Sequence, residues 1–397
     1  MSSSFITRKY SSGYATINFN IPAFKKVVLF GPQPLSVART GFAGTSVGNY
    51  ALFGGGYDGT GTYYSTVDAY NSSLTRTTPT ALSQERSDLA ATSVGNYALF
   101  AGGYYSSTGQ NTVDAYNTSS TKTTSPTQLT SARYNLAGAT VGNYALFAGG
   151  NGGYSEYEYK NYVEAYDNSL TKSIPSVMNV PRESLAAASV GNFAIFAGGY
   201  NGSEYKNSVN AYDSSLTKST PPNALSVARS RLSGASTGNY ALFAGGYTGS
   251  SSNIVDAYNT SLTRTTPTTL SIARYYLASA SIGNYALFAG GYSSSYSNAV
   301  DIYNSNLTRT SPTNLSVGRS GPSGASTGNY VLFAGGYTGS ASNSVDTYMM
   351  SNETIQVYPG TKYSFNGQTE QTSSTRKEIN ISGELNGYIK IKNAQID

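Results

Sequence analysis

The chain has no cysteine, no histidine and no tryptophan in 397 residues. The first absence excludes a disulfide framework and a thiolate nucleophile, and the second excludes an imidazole base. Together they remove the usual ligands of zinc and copper, so neither a metal nor a cofactor is expected. Charge is also scarce, at 11% of residues with a net +5 and no run of Lys or Arg. A nucleic-acid surface needs clustered basic charge, so that class of partner is not expected. No apolar stretch approaches the roughly 18 residues of a membrane span, and MSSSFITRKY lacks the apolar core of a signal peptide. The expectation is a protein made in the cytoplasm, without an export signal and without membrane insertion. Gly (43), Tyr (36), Ser, Thr and Asn are abundant instead. That polar composition suits a binding protein that works outside the cell.

Seven copies of one decapeptide organise the chain. GNYALFGGGY starts at Gly48, GNYALFAGGY at Gly95, Gly238 and Gly283, GNYALFAGGN at Gly142, GNFAIFAGGY at Gly191 and GNYVLFAGGY at Gly328. The starts lie 47, 47, 49, 47, 45 and 45 residues apart. A fixed period of this length marks a unit that cannot bury its own face and stacks until it can. Each unit reads as an Arg, an apolar-small strand such as Leu136 to Val141, a GN turn, the strand YALFAGG, a variable loop, VDAYN, a Ser/Thr/Asn turn and an LTRT strand. Four short strands per period predict a propeller blade. The fold class is therefore all-β, a seven-bladed β-propeller over residues 25–350. A polar N-terminal arm or docking strand (1–24) precedes it, and a small β appendage (351–397) follows. In the appendage, alternation over Glu378–Leu385 and Tyr388–Ile391 around Asn386 and Gly387 predicts a hairpin.

These residues resemble the kelch-repeat family: a Gly doublet after an apolar strand, the Tyr of VDAY about 15 residues on, and the Arg that opens the next unit. The resemblance covers roughly residues 26–350. The fourth-strand Trp common in kelch units is replaced by Thr or Ser, as at Thr77, Thr123, Ser173 and Thr265, which shifts blade-to-blade packing onto Leu74 and its equivalents. Register addresses ring closure. Pro lies seven and Leu or Met four residues before each Arg, as in Pro79, Leu82 and Arg86, and Pro32, Leu35 and Arg39 keep that spacing. This makes residues 25–30 the strand that completes the last blade, with Thr354–Tyr358 as the rival.

Structural roles absorb most charges. Each VDAY-type acid has a base eight residues on in five units: Asp68 and Arg76, Asp114 and Lys122, Glu164 and Lys172, Asp256 and Arg264, Asp301 and Arg309. The fourth unit has Asn210 against Lys218. Cross-strand pairing explains these acids better than metal binding does. The repeated arginines (Arg39, Arg86, Arg133, Arg182, Arg229, Arg274, Arg319) are expected to be buried and bonded to backbone, since a ligand rarely has sevenfold symmetry. Asp88, Glu183, Glu204 and Glu156 are left as unpaired acids.

The units differ at two places. One is the pair of residues after each Arg: Thr40 and Gly41, Ser87 and Asp88, Tyr134 and Asn135, Glu183 and Ser184, Ser230 and Arg231, Tyr275 and Tyr276, Ser320 and Gly321. The other is the loop after the Gly pair, from eight residues (Tyr247–Ile254) to twelve (Asn151–Tyr162). In an antiparallel blade both lie at the same end, around the mouth of the central channel, and loop variation marks a binding face. Tyr, Ser, Gly and Asn dominate there, as in antibody paratopes, and Tyr faces also stack on sugars. The candidate ligand-binding residues are Tyr57, Asp88, Tyr104, Tyr105, Tyr134, Asn135, Tyr154, Glu183, Tyr200, Arg231, Tyr247, Tyr275, Tyr276, Tyr292 and Tyr337; no catalytic or metal-binding residue is assigned.

The repeats are also similar to kelch-type proteins encoded by phages and prophages of Gram-positive bacteria. That resemblance implies a non-enzymatic receptor-binding protein of a phage tail tip or baseplate, located in the virion and active in host attachment. Its partners would be a host-surface glycan or surface protein and other tail proteins, and an oligomer of the chain would add avidity. The alternatives are a sialidase-like glycan-processing enzyme, disfavoured because the Trp of an Asp-box is missing, and an intracellular bacterial kelch scaffold for a protein partner.

Overall fold

The computed structural model describes residues 14–21, 24–26, 32–153, 158–221, 223–350, 352–357, 362–365, 371–372, 377–382 and 385–392. The chain divides into two compact units, residues 27–347 and residues 1–26 with 348–397. The larger unit is a seven-bladed β-propeller without helices, an architecture consistent with a kelch-type propeller.

Blade one shows the pattern: Ala43–Val47, Tyr50–Gly54, Val67–Asn71 and Arg76–Thr77 pair antiparallel in that order. The innermost strand alternates buried and half-buried residues, because one of its faces looks into the axial channel. The second strand is buried from Ala51 to Gly54, since neighbouring blades cover both of its faces. Blades three to six repeat this order. In blade two the outer strand shrinks to a single bridge, Tyr116 with Lys122.

The Gly pair explains how the blades are held in a ring. Gly55 and Gly56 have φ of +78° and +106°, and a Cβ on them would come within 2.6 Å of the Arg86 carbonyl and 2.8 Å of the Thr40 carbonyl. Only glycine brings backbone this close. The closeness serves a bond, because Gly56 N–H donates to the carbonyl of Arg86 in the next blade at 2.8 Å. Gly103, Gly150, Gly199, Gly246 and Gly291 do the same, and Gly336 donates to Arg39 at 3.0 Å to close the circle.

Side chains seal the blade gaps. The Tyr70 hydroxyl donates to the Gln33 carbonyl at 2.8 Å, and its ring meets Phe53 edge-on at 6.0 Å. Equivalent pairs recur at Phe100 with Tyr116, Phe147 with Tyr166 and Phe243 with Tyr258. Leu74, Leu170 and Leu216 sit in turns at φ near +60° and pack against the same buried clusters as Tyr330, Tyr97 and Tyr144 of the preceding blade. Around the axis, Ser46, Ser93, Thr140, Ser189, Ser236, Ser281 and Ser326 place one hydroxyl per blade in a cavity of about 300 Å³. Several bridge adjacent blades, as where Ser326 N–H donates to Ser46 Oγ at 2.9 Å.

In the second unit, Tyr14–Ile21 pairs antiparallel with Leu385–Lys392, which also pairs with Lys362–Phe365. The N-terminal segment is thus a docking strand over its described residues. The predicted hairpin is not formed. Asn386 and Gly387 lie inside Leu385–Lys392, opposite Asn20 and Phe19, so the ladder to the N-terminal strand overrides the Asn-Gly turn signal. Lys377–Ser382 pairs with Asn352–Val357 in a separate two-stranded sheet. Phe24–Lys26 pairs with Tyr348–Met350, Lys26 opposite Tyr348. Residues 27–30 of the proposed closing strand, and Tyr358 of its rival, lie outside the described residues.

Candidate binding face

The two residues after each buried Arg have distinct backbone roles. The first forms a bridge to the residue after the Gly pair: Thr40 with Tyr57, Ser87 with Tyr104, Tyr134 with Asn151, Glu183 with Tyr200, Ser230 with Tyr247, Tyr275 with Tyr292 and Ser320 with Tyr337. Both variable regions therefore meet in every blade. The second residue takes a left-handed φ in all seven blades, +64° at Gly41, +52° at Asp88, +53° at Asn135, +52° at Ser184, +55° at Arg231, +53° at Tyr276 and +56° at Gly321. This turn aligns each N–H with the carbonyl of the blade before. Asp88 donates to Gly41, Asn135 to Asp88, Ser184 to Asn135, Arg231 to Ser184, Tyr276 to Arg231 and Gly321 to Tyr276, at 2.6 to 3.1 Å. Six bonds thus string these seven residues, five of which carry side chains, around the axis at the channel mouth.

A belt of tyrosines surrounds that ring. Tyr57 stacks on Tyr63, which meets Tyr104 and Tyr105; Tyr104 in turn packs edge-on against Tyr134 at 5.1 Å. A second series runs Tyr159, Tyr200, Tyr205, Tyr247, Tyr275, Tyr292, Tyr296 and Tyr337, with ring centroids 5.1 to 6.2 Å apart. Tyr337 reaches the blade-one loop, since a Cβ on Gly59 would lie 3.2 Å from its ring. Each aromatic contact adds about 0.5–1.5 kcal/mol beyond area burial, so the rings hold one another in place. Tyr154 lies outside the described residues, as does Glu156.

Charge at the opening is concentrated on three residues. Asp88 accepts from Ser87 Oγ at 2.9 Å, and Glu183 accepts from Asn135 Nδ2 at 3.3 Å. Arg231 lies 4.9 Å from the Tyr276 ring centroid, 5.7 Å from that of Tyr247 and 6.0 Å from that of Tyr275. None of the three is ion-paired with a described residue at 4.0 Å. Desolvation pushes the Asp88 carboxyl up to about 6, opposed by the Ser87 bond and reinforced by the Glu183 charge. Glu183 is raised for the same first reason, against the Asn135 and Asn151 bonds and the Arg231 charge. The Tyr276 hydroxyl is also raised, chiefly by desolvation, and feels Arg231, Asp88 and Glu183 together. The three charges therefore share one local field.

The repeated arginines belong to the framework. All seven are fully buried. Arg39 Nη2 donates to the Phe53 carbonyl at 3.1 Å, in line with the expected backbone bonding, and also pairs with Asp68 at 2.8 Å. The same acid meets Arg76 at 3.1 Å, so each pairing foreseen eight residues apart is the outer half of a triad whose inner member is the buried Arg. Blades two, three, five and six repeat the triad, and blade seven pairs Arg319 with Asp346. Blade four breaks it: Arg182 has the amide oxygen of Asn210 at 3.1 Å in place of a carboxylate, beside the Val180 and Phe196 carbonyls, and burial lowers this guanidinium to about 10. Glu204, expected to be unpaired, bonds Lys206 at 2.7 Å because the two sit on one short loop.

Sequence reasoning passed over Tyr63, Tyr159, Tyr205 and Tyr296, which stand on the returning arm of each loop and bridge back to Tyr57, Asn151, Tyr200 and Tyr292. Their recurrence a few residues after the first loop residue was the available signal. It also missed the left-handed turn, although Gly, Asp and Asn occupy four of the seven positions and favour that conformation. Among the described residues, no three Asp or Glu gather as a metal site. No protein-family model matches the chain, and no curated protein matches it either.

Proposed function

We propose that the propeller is a non-enzymatic binding module of kelch type, acting as the receptor-binding protein of a phage or prophage tail tip or baseplate. Its ligand is a bacterial surface glycan or surface protein, held at the channel mouth. The observation that carries this reading is the tyrosine belt around a ring of residues that vary while everything beside them repeats. A framework needs no such variation, whereas recognition of an asymmetric ligand does. Tyrosine offers broad amphipathic contact at low entropy cost, and its rings are already packed into place. The phage setting rests on the resemblance of the repeats.

The test is fluorescent labelling of whole Gram-positive cells by the protein and by a Tyr134→Ala, Tyr275→Ala, Tyr276→Ala variant. Labelling by the first and not by the second is expected. Equal labelling by both sinks the site, and no labelling of any strain sinks the receptor-binding reading.

A second reading is favoured by one observation: two carboxyls with raised pKa share an opening with a tyrosine and an arginine. That set suits acid-assisted glycan cleavage. Release of reducing ends from cell-wall polysaccharide, abolished by Asp88→Asn or Glu183→Gln, would replace binding with hydrolysis.

A further inference from the structure

We infer that the channel mouth selects a zwitterionic saccharide, one carrying an ammonium and a carboxylate or phosphate on the same or adjacent sugars. The inference rests on the binding reading above and names its ligand class. Most acids and bases of the described propeller are paired, bonded in turns or placed on the rim. Asp88, Glu183 and Arg231 differ, because they converge on one opening without an ion-pair partner among the described residues.

Their arrangement is polar around the axis. Asp88 leans toward blade one, where a Cβ on Gly41 would lie 3.2 Å from its Oδ1. Glu183 is tied to Asn135 of blade three, and Arg231 lies over Tyr276 of blade six. The carboxylates occupy the arc of blades one to four and the guanidinium that of blades five and six. A purely anionic ligand at Arg231 would meet repulsion from the two carboxylates, and a purely cationic one would meet Arg231. A ligand with both signs matches both arcs. The Tyr276 ring, 4.9 Å from Arg231 Cζ, braces the guanidinium, whose N–H groups suit bidentate contact with a carboxylate or phosphate. The adjacent tyrosine faces supply the surface on which sugar rings lie.

The experiment measures affinity for three tetrasaccharides at neutral pH by calorimetry. One alternates glucuronate with free-amine glucosamine, one alternates glucuronate with N-acetylglucosamine, and one contains glucosamine alone. The zwitterionic sugar is expected to bind at least about tenfold more tightly than either other. Arg231→Gln should reduce it to the level of the amine-only sugar, and Asp88→Asn with Glu183→Gln to that of the acid-only sugar. Thermal midpoints of the variants report that they remain folded. Equal affinity for the zwitterionic and a singly charged sugar, or indifference to Arg231→Gln, overturns the inference. If cells are labelled but none of the three sugars binds, the inference falls and the binding reading stands. If no cells are labelled, both fall.

Discussion

Arg229 and Arg231 are two residues apart and share nothing but their side chain. Arg229 is fully buried, bonded to the Phe243 carbonyl at 3.0 Å and paired with Asp256 at 2.8 Å. Arg231 sits at the channel mouth against three tyrosine rings, in no ion pair with a described residue. The first recurs in every blade and the second occurs once. A charge whose partner is built into the repeat belongs to the scaffold, while one left without a partner at an opening is available to something else. The left-handed residue between strand and Arg makes that separation abrupt, turning the backbone from blade interior to channel mouth within two positions.

The largest effect should come from breaking the buried side of this comparison. Arg229→Met removes the buried inner partner of Asp256 and leaves it the outer Arg264 at 3.6 Å and the Ser226 bonds, and removing one partner of a buried pair costs about 3–5 kcal/mol. Urea unfolding should show a loss of that size, and a change below 1 kcal/mol, by the same yardstick, would mean that water reaches the pair. Asn210→Asp runs the comparison in the other direction. It supplies Arg182 with the carboxylate its equivalents have, and a charge-assisted bond should add about 1.5–3 kcal/mol. A higher melting midpoint is expected, and an unchanged one would show that the Asn210 amide already satisfies Arg182.

A smaller effect separates Asp88 from the framework acids. Its folded pKa of about 6 lies above the ordinary aspartate value of 3.8, so the native state holds this proton more tightly. Stability contributed by protonated Asp88 is present at low pH and is lost as pH rises through about 4 to about 6. Melting across that window should show this fall in the parent protein and a flatter profile in Asp88→Asn; equal slopes would refute the shift. The smallest change should follow Arg231→Gln, whose free energy of unfolding should stay within about 0.5 kcal/mol of the parent. A loss as large as that of Arg229→Met would make Arg231 part of the scaffold after all.

The propeller was legible because its cause is local and repeated. GNYALFAGGY encodes a two-residue turn, a strand buried on both faces and a backbone approach that only glycine allows, and seven copies leave few other architectures. The variable positions were legible by contrast with that constancy. The inner Arg–acid pairs were less so, because Arg229 and Asp256 are separated by two strands and a loop whose length is not constant among the blades. The Asn386–Gly387 hairpin failed for a related reason: a strand from the far end of the chain, Tyr14–Ile21, competes for the same backbone and wins with an eight-residue ladder.

Sequence alone determined the number of blades, the strand order within each and the residues that break the repeat, since all of these depend on neighbours within one period. Tertiary structure decided which charges are satisfied and which tyrosines touch, because those depend on side chains that meet only after the ring closes. Gly336 bonding to Arg39 brings the last blade against the first, and only in that circle do Asp88, Glu183 and Arg231 face a common opening.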